Sequence, residues 1–166
     1  MNRSRLLLLL AVAALVAVLA YWLWPADDRA LIKNQMKQLG RLASYSAEEH
    51  PISKQRAIGQ MKALFSPDLV VQVNMQRGRS QSIEGRSDFM ELVQQVRFGV
   101  PAIQLDFDVT SVELPPDHRS AVVLMTLSAK IGLEQQQEYQ EMKAILENTS
   151  DGWLIKRLET VKTYGR

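Results

Sequence analysis

The sequence predicts an α+β domain, three helices packed on a strongly curved antiparallel sheet, carried behind an N-terminal transmembrane helix. Three patterns predict it. Residues 6–24 hold no charge, no glycine and no proline. Apolar residues then recur at helical spacing between 31 and 65, and alternate with polar ones at period 2 through most of the remainder. Helices grouped early and antiparallel strands later point to helices on one face of a sheet rather than to alternating βα units.

At about 1.5 Å per residue the apolar run spans roughly 28 Å, close to the hydrocarbon thickness of a bilayer. Arg3 and Arg5 precede it, and Asp27 and Asp28 follow Pro25. The positive-inside rule makes residues 1–5 a cytoplasmic stub and 6–24 a transmembrane anchor. It sends the domain at 27–166 to the periplasm, as in a single-pass protein of a bacterial inner membrane. Val18-Leu19-Ala20 offers a weak cleavage site, which would make the run a signal peptide instead. The run is longer than the apolar core of such a peptide, about 7–15 residues. It also ends on Tyr21, Trp22 and Trp24, whose rings favour the membrane interface. An uncleaved anchor is the expectation.

The 166 residues suffice for that anchor and one domain. The absence of cysteine excludes disulfides, thiolate metal sites, cysteine nucleophiles and a lipid-modified cysteine anchor, and it suits export. The net charge of +2 comes from the stub: without Arg3 and Arg5, 18 basic and 18 acidic side chains remain. Such a balanced surface exerts no long-range pull on nucleic acid. The expected partner is the bilayer, through the N-terminal helix.

The elements follow in order. Asp27-Asp28 open a first helix, where carboxylates complement the helix dipole, and Ile32, Met36, Leu39 and Ala43 form its apolar stripe. Pro51 starts a second, which buries Ala57, Ile58, Met61, Leu64 and Phe65 and stops at Ser66-Pro67. Leu69, Val71, Val73 and Met75 then share one strand face; Gln72, Asn74 and Gln76 share the other. A turn at Arg77-Gly78-Arg79 leads into a short strand, Ser80 to Glu84, which Gly85 ends. Phe89, Leu92, Val93 and Val96 lie on one side of a third helix. From Ala102 a meander of four long strands runs to the end, turning at Pro115-Pro116-Asp117, Gly132 and Asn148–Gly152.

This order and three local phrases resemble the nuclear transport factor 2-like (cystatin-like) superfamily, including its SnoaL-like members. The phrases are Phe65-Ser66-Pro67-Asp68-Leu69-Val70-Val71, Glu84-Gly85-Arg86-Ser87-Asp88-Phe89 and Asp151-Gly152-Trp153-Leu154-Ile155-Lys156-Arg157. The resemblance covers about residues 28–164. It implies a cone-shaped fold whose bent sheet and helices enclose a pocket, and pairing into a homodimer through the exposed sheet. Members include isomerases, dehydratases, cyclases, non-catalytic binding modules and tethered secretion-system subunits, so the fold leaves function open.

The resemblance also supplies chemistry to look for. Its isomerases use a carboxylate base with a Tyr and a protonated Asp as oxyanion donors. Tyr45 is the tyrosine at the end of the first helix, but Gln76 to Ser82, where the base would sit, holds no carboxylate. Its dehydratases use a His–Asp pair. The two histidines here, His50 and His118, both read as exposed loop residues, and Glu48-Glu49-His50 is a poor metal signal. No cofactor motif and no metal site is evident.

Asp106 and Asp108 share a strand face, read here as a solvated outer one. Arg77, Arg79 and Arg86 read as solvated loop charges. In the last hairpin, pairing Glu147 with Trp153 would place Tyr139, Glu141, Lys143, Arg157 and Glu159 on one face with Trp153, Ile155 and Ile145; a one-residue slip would reverse this. The candidate pocket or partner-face residues are therefore Tyr45, Asn74, Tyr139, Glu141, Trp153 and Arg157. The expected function is that of a non-catalytic, membrane-tethered periplasmic module binding a small apolar ligand or an envelope protein. An assembly scaffold for the envelope or a secretion system, and a lyase or isomerase acting on a hydrophobic substrate, are the alternatives.

Overall fold

A computed structural model describes residues 27–74, 80–132 and 137–161. The run at 6–24, its aromatic end (Tyr21, Trp22, Trp24), Arg3, Arg5, Arg77 and Arg79 lie outside these residues. Among the described residues no helix is long and apolar enough to cross a membrane.

Helix α1 (Asp28–Ala43) begins where Asp27 accepts a hydrogen bond from the Arg29 amide at 3.1 Å, satisfying one of the orphan donors of the first turn. Ile32, Met36, Leu39 and Gly40 make its buried face. Gly40 suits a close approach: a Cβ there would lie a tight 3.3 Å from both the Leu105 carbonyl and the Phe107 ring. Helix α2 (Pro51–Lys62) is capped by His50, whose Nδ1 accepts from the Ile52 amide at 3.4 Å. It ends earlier than its sequence pattern suggests. Phe65 instead opens strand β1 (Phe65–Asn74). The Ile155 amide donates to the Leu64 carbonyl at 2.9 Å, and the Phe65 ring packs edge-on against Phe89, 5.2 Å between centroids. Sheet pairing outcompetes one more helical turn at this point.

Strand β2 (Ser80–Glu84) pairs antiparallel with β1. Gly85, at φ 91°, then turns the chain into helix α3 (Arg86–Gly99), a conformation that side-chain-bearing residues rarely adopt. Strands β3 (Ile103–Glu113), β4 (Ser120–Ile131), β5 (Gln137–Thr149) and β6 (Gly152–Thr160) form the expected meander. The six-stranded sheet has the order β2-β1-β6-β5-β4-β3. It is not wholly antiparallel, because β1 and β6 run parallel. The meander leaves one edge of β6 open and β1 fills it; period-2 alternation carries no information about the direction of a partner.

The last hairpin has a different register from the one expected. Asn148, not Glu147, lies opposite Trp153, and Leu146 lies opposite Ile155. Ile145 then pairs with Arg157, so Lys156 is an extra residue, a bulge that changes which face later residues occupy. Trp153, Ile155, Leu158 and Thr160 are consequently all buried toward the helices. Lys143, Ile145, Arg157 and Glu159 take the outer face, where Lys143 and Glu159 pair directly across strands at 2.8 Å. The core lies between the helices and the concave face of the curved sheet, where Leu69, Ala121, Val123, Met125, Ala144 and Leu146 belong to one buried cluster with Ile32, Met36 and Leu39 of α1.

Candidate ligand cavity

Between the C-terminal half of α1, helix α3 and the concave sheet lies a cavity of about 240 Å³. Leu39 and Ala43 contribute from α1, Phe89 and Val93 from α3, Leu105 and Phe107 from β3, with Leu127, Met142 and Leu158 across the sheet. Of all the lining residues, Tyr45 and Arg97 alone carry polar side-chain atoms. No carboxylate and no imidazole lines it among the described residues.

Those two polar residues are held by the fold itself. Tyr45 follows α1 and bridges backbone-to-backbone with Ile103, at 2.8 and 3.0 Å, because Ser44 turns the chain onto the edge of β3. The Ser44 hydroxyl donates to the Gly40 carbonyl at 2.7 Å and accepts from the Leu105 amide at 2.9 Å. The Tyr45 hydroxyl donates to the Val96 carbonyl at 3.0 Å. Burial pushes its pKa above the ordinary tyrosine value, although Arg97 pulls the other way, so it stays neutral and a donor. The Arg97 guanidinium sits 4.8 Å from the centre of the Tyr45 ring.

Arg97 is a residue that the sequence reading missed. It is 2% exposed, with Nη1 donating to the Leu42 carbonyl at 2.6 Å and Nη2 to both oxygens of Glu49 at 2.9 Å. The signal was present in the helical spacing: Met90, Val93 and Arg97 fall on one face, so a charge at position 97 stands at a core-facing place. Its partner is 48 residues earlier, beyond any local pattern. The expected apolar side of α3 is shifted accordingly. Met90 and Arg97 are its buried residues, while Leu92 and Val96 line the cavity yet remain partly exposed to solvent.

Of the six candidate residues, Tyr45 alone reaches the cavity. Trp153 faces the core at the other end of α1, where its Nε1 donates to Asp28 at 3.1 Å. Its expected place on the face of Arg157 is corrected by the bulge at Lys156. Asn74 is occupied in fastening β1 to β6, its side-chain amide donating to the Thr160 carbonyl at 2.8 Å. Tyr139, Glu141 and Arg157 lie on the outer sheet face.

His50 is an exposed helix cap, and His118 is an exposed residue whose Nδ1 lies 2.7 Å from Asp28. That His–Asp contact does not line the cavity. Glu49 belongs to Arg97, and no group of three potential metal ligands occurs among the described residues. Asp106 and Asp108 are exposed, as the solvated-face reading requires. Arg86 is not a free loop charge, because its Nη1 donates to the Phe65 carbonyl at 3.0 Å.

No family model matches the chain, and no curated protein matches it. Solved structures do. An NTF2-like protein with a cystatin-like fold from Novosphingobium aromaticivorans superposes with a TM-score of 0.60 at 16% identity, over 93% of this chain and 90% of that one. The fold is nuclear transport factor 2-like. A domain of unknown function from Nostoc punctiforme, also cystatin-like, gives 0.59 at 16% identity over 85% and 80%. A protein from N. aromaticivorans named provisionally as a scytalone dehydratase gives 0.58 at 13% identity over 84% and 93%. At such identities the likeness establishes the nuclear transport factor 2-like fold and no activity.

Proposed function

We propose that this protein is a non-catalytic module that binds a small apolar molecule in the cavity, tethered by residues 6–24 to a bacterial inner membrane with its domain in the periplasm. One observation carries the binding reading: a solvent-open pocket of about 240 Å³ walled almost wholly by aliphatic and aromatic side chains. The pocket opens to solvent past Leu92 and Val96, so an apolar guest seated on this wall displaces water and gains dispersion contacts with the side chains that line it. The guest also leaves water, at about 25 cal/mol per Å² of apolar area buried. The enzyme alternatives need an acid–base group at the guest, and the wall presents none among the described residues. Tyr45 donates its proton to a backbone carbonyl, and Arg97 has no accessible neutral form.

Methionine-methyl NMR of the full-length chain in lipid nanodiscs tests this, because Met61 and Met142 line the cavity whereas Met36 and Met90 do not. Adding the hydrocarbon tetralin is expected to shift Met61 and Met142 and to leave Met36 and Met90 in place. Unmoved Met61 and Met142 signals at saturating tetralin overturn the reading. The tether is checked separately: the chain should resist alkaline extraction from membranes, and a mature protein beginning near Tyr21 would refute the anchor.

A further inference from the structure

A second cleft, of about 480 Å³, lies between the C-terminal half of α1 and strands β3, β4 and β5. Its chemistry is the reverse of the apolar pocket's. Lys37 and Arg41 stand four residues apart on α1, so both lie on one face of the helix. Lys130 adds a third cation from β4. Asp106 of β3 is the single carboxylate of the wall, and Leu105 its single aliphatic side chain. Three cations and one carboxylate give the cleft a local charge of +2, in a chain that is balanced once Arg3 and Arg5 are set aside.

These charges are accessible and uncommitted. Lys37, Arg41 and Asp106 are exposed and Lys130 is half-buried. None of the four enters an ion pair among the described residues, whereas Lys143 and Glu159 on the same sheet close to 2.8 Å. Arg41 stands in the last turn of α1, where the negative end of the helix dipole would otherwise repel an anion. The Ser44 amide and hydroxyl both donate to the Gly40 carbonyl there, at 3.0 and 2.7 Å. A neutral donor completes the wall. The Gln137 side-chain amide donates to the Ser128 hydroxyl at 3.1 Å, so that hydroxyl retains its own proton to give.

A dianion matches this charge. A phosphomonoester carries about −1.5 to −2 at neutral pH and offers three strong acceptor oxygens to Arg and Lys donors. Asp106 selects what the phosphate is attached to, because a carboxylate repels a bare anion but accepts from a hydroxyl. The volume lies within the roughly 300–1,000 Å³ of small-molecule sites. We propose that this cleft binds the phosphomonoester of a small hydroxyl-bearing molecule, with Lys37, Arg41 and Lys130 on the phosphate and Asp106 accepting from a hydroxyl. The site is separate from the apolar pocket and does not depend on it. The same phosphate chemistry occurs in solution and, as phosphatidate, at a membrane surface.

Glycerol phosphate, inorganic phosphate and sodium chloride at equal ionic strength are titrated into the full-length chain in dodecyl maltoside, a phosphate-free detergent, and followed by amide NMR. Glycerol phosphate is expected to give saturating shifts at Arg41, Ser128 and Lys130, and none at Ile32 or Trp153 near the start of α1. Arg41→Gln combined with Lys130→Gln is expected to weaken it about tenfold, with Ile32 and Trp153 in place to show an intact fold. Asp106→Asn is expected to raise the affinity for inorganic phosphate about threefold, since a like charge leaves the wall. Shifts that do not saturate, or that sodium chloride reproduces, overturn the site, as does an affinity that survives the double substitution. Unchanged phosphate affinity in Asp106→Asn overturns the role of Asp106 and with it the hydroxyl-bearing ester. Nanodiscs of phosphatidylcholine with and without phosphatidate decide the source. Shifts at the three amides from phosphatidate alone put the phosphate on a lipid, shifts from added glycerol phosphate alone put it in solution, and neither overturns the site. The tetralin response of Met61 and Met142 is independent of all these outcomes.

Discussion

The two ends of helix α1 are built on opposite principles. At its start, Asp28 accepts from the Trp153 indole at 3.1 Å and meets His118 at 2.7 Å, while Gln35 donates to the Trp153 carbonyl at 2.8 Å. Ser66 and Lys156 both bind Glu147 nearby. Ile32 and Met36 beneath this network are fully buried, and neither lines the cavity. At the other end, Leu39, Ala43 and Tyr45 face a solvent-open pocket whose polar side chains are turned to backbone and to Glu49. One end is closed by polar fastenings over a filled core. The other keeps its polar groups away from an apolar space, which is what a binding site for apolar molecules requires.

The largest expected effect breaks the filled end. Ile32→Ala should cost about 2–5 kcal/mol in chemical denaturation, because the tight surroundings cannot collapse into the new void. A loss under about 1 kcal/mol would show that this end is as loosely packed as the other.

Enlarging side chains sharpens the contrast with a smaller effect of opposite signs. Ala121, fully buried, has no room to grow, so Ala121→Leu should destabilise by about 1–3 kcal/mol. Ala43 faces the cavity, so Ala43→Leu should be neutral or stabilising by up to about 1 kcal/mol and should abolish the tetralin-induced shifts of Met61 and Met142. Equal losses at both positions would deny the difference between the ends.

The smallest effect depends on pH. The hydrogen bonds from His118 and Trp153 hold the Asp28 carboxyl below the usual aspartate range. A depressed folded value means that the stabilisation is fully present above the unfolded value of about 4 and is lost as pH falls through the folded one. The stability gap between wild type and Asp28→Asn, whose amide oxygen can still accept from Trp153, should therefore be widest near neutrality and close below about pH 4. A gap that persists at pH 2 would assign the effect of Asp28 to shape rather than charge.

Much of this was legible in the chain. Periodicity located the elements because apolar spacing follows directly from helix and strand geometry, and the three phrases around Phe65, Gly85 and Gly152 marked the joints between them. What escaped was set by distant partners. Phe65 reads as the end of a helix until Ile155 draws it into the sheet. The bulge at Lys156 leaves Arg157 outside while Trp153 and Ile155 turn inward, a change that no alternation pattern announces. Arg97 falls on the core-facing side of its helix, but the Glu49 that makes its burial possible is 48 residues away. The site was correspondingly harder to read than the fold: Tyr45 was found because it directly follows a recognisable helix, and its neighbour Arg97 was not.

The position of β6 has a consequence for how the chain acquires its structure. In the order β2-β1-β6-β5-β4-β3, the β1–β2 hairpin joins the meander only through β6, whose residues 152–160 come near the end of the sequence. Until that segment exists, Phe65 lacks Ile155 and the two halves of the sheet share no strand. Sequence-distant pairings of this kind are slow to form, because loop entropy is lost before the contacts repay it. On a ribosome, or threading through a narrow pore, the β1–β2 pair and the β3–β4–β5 meander would have no strand to join them until β6 had emerged.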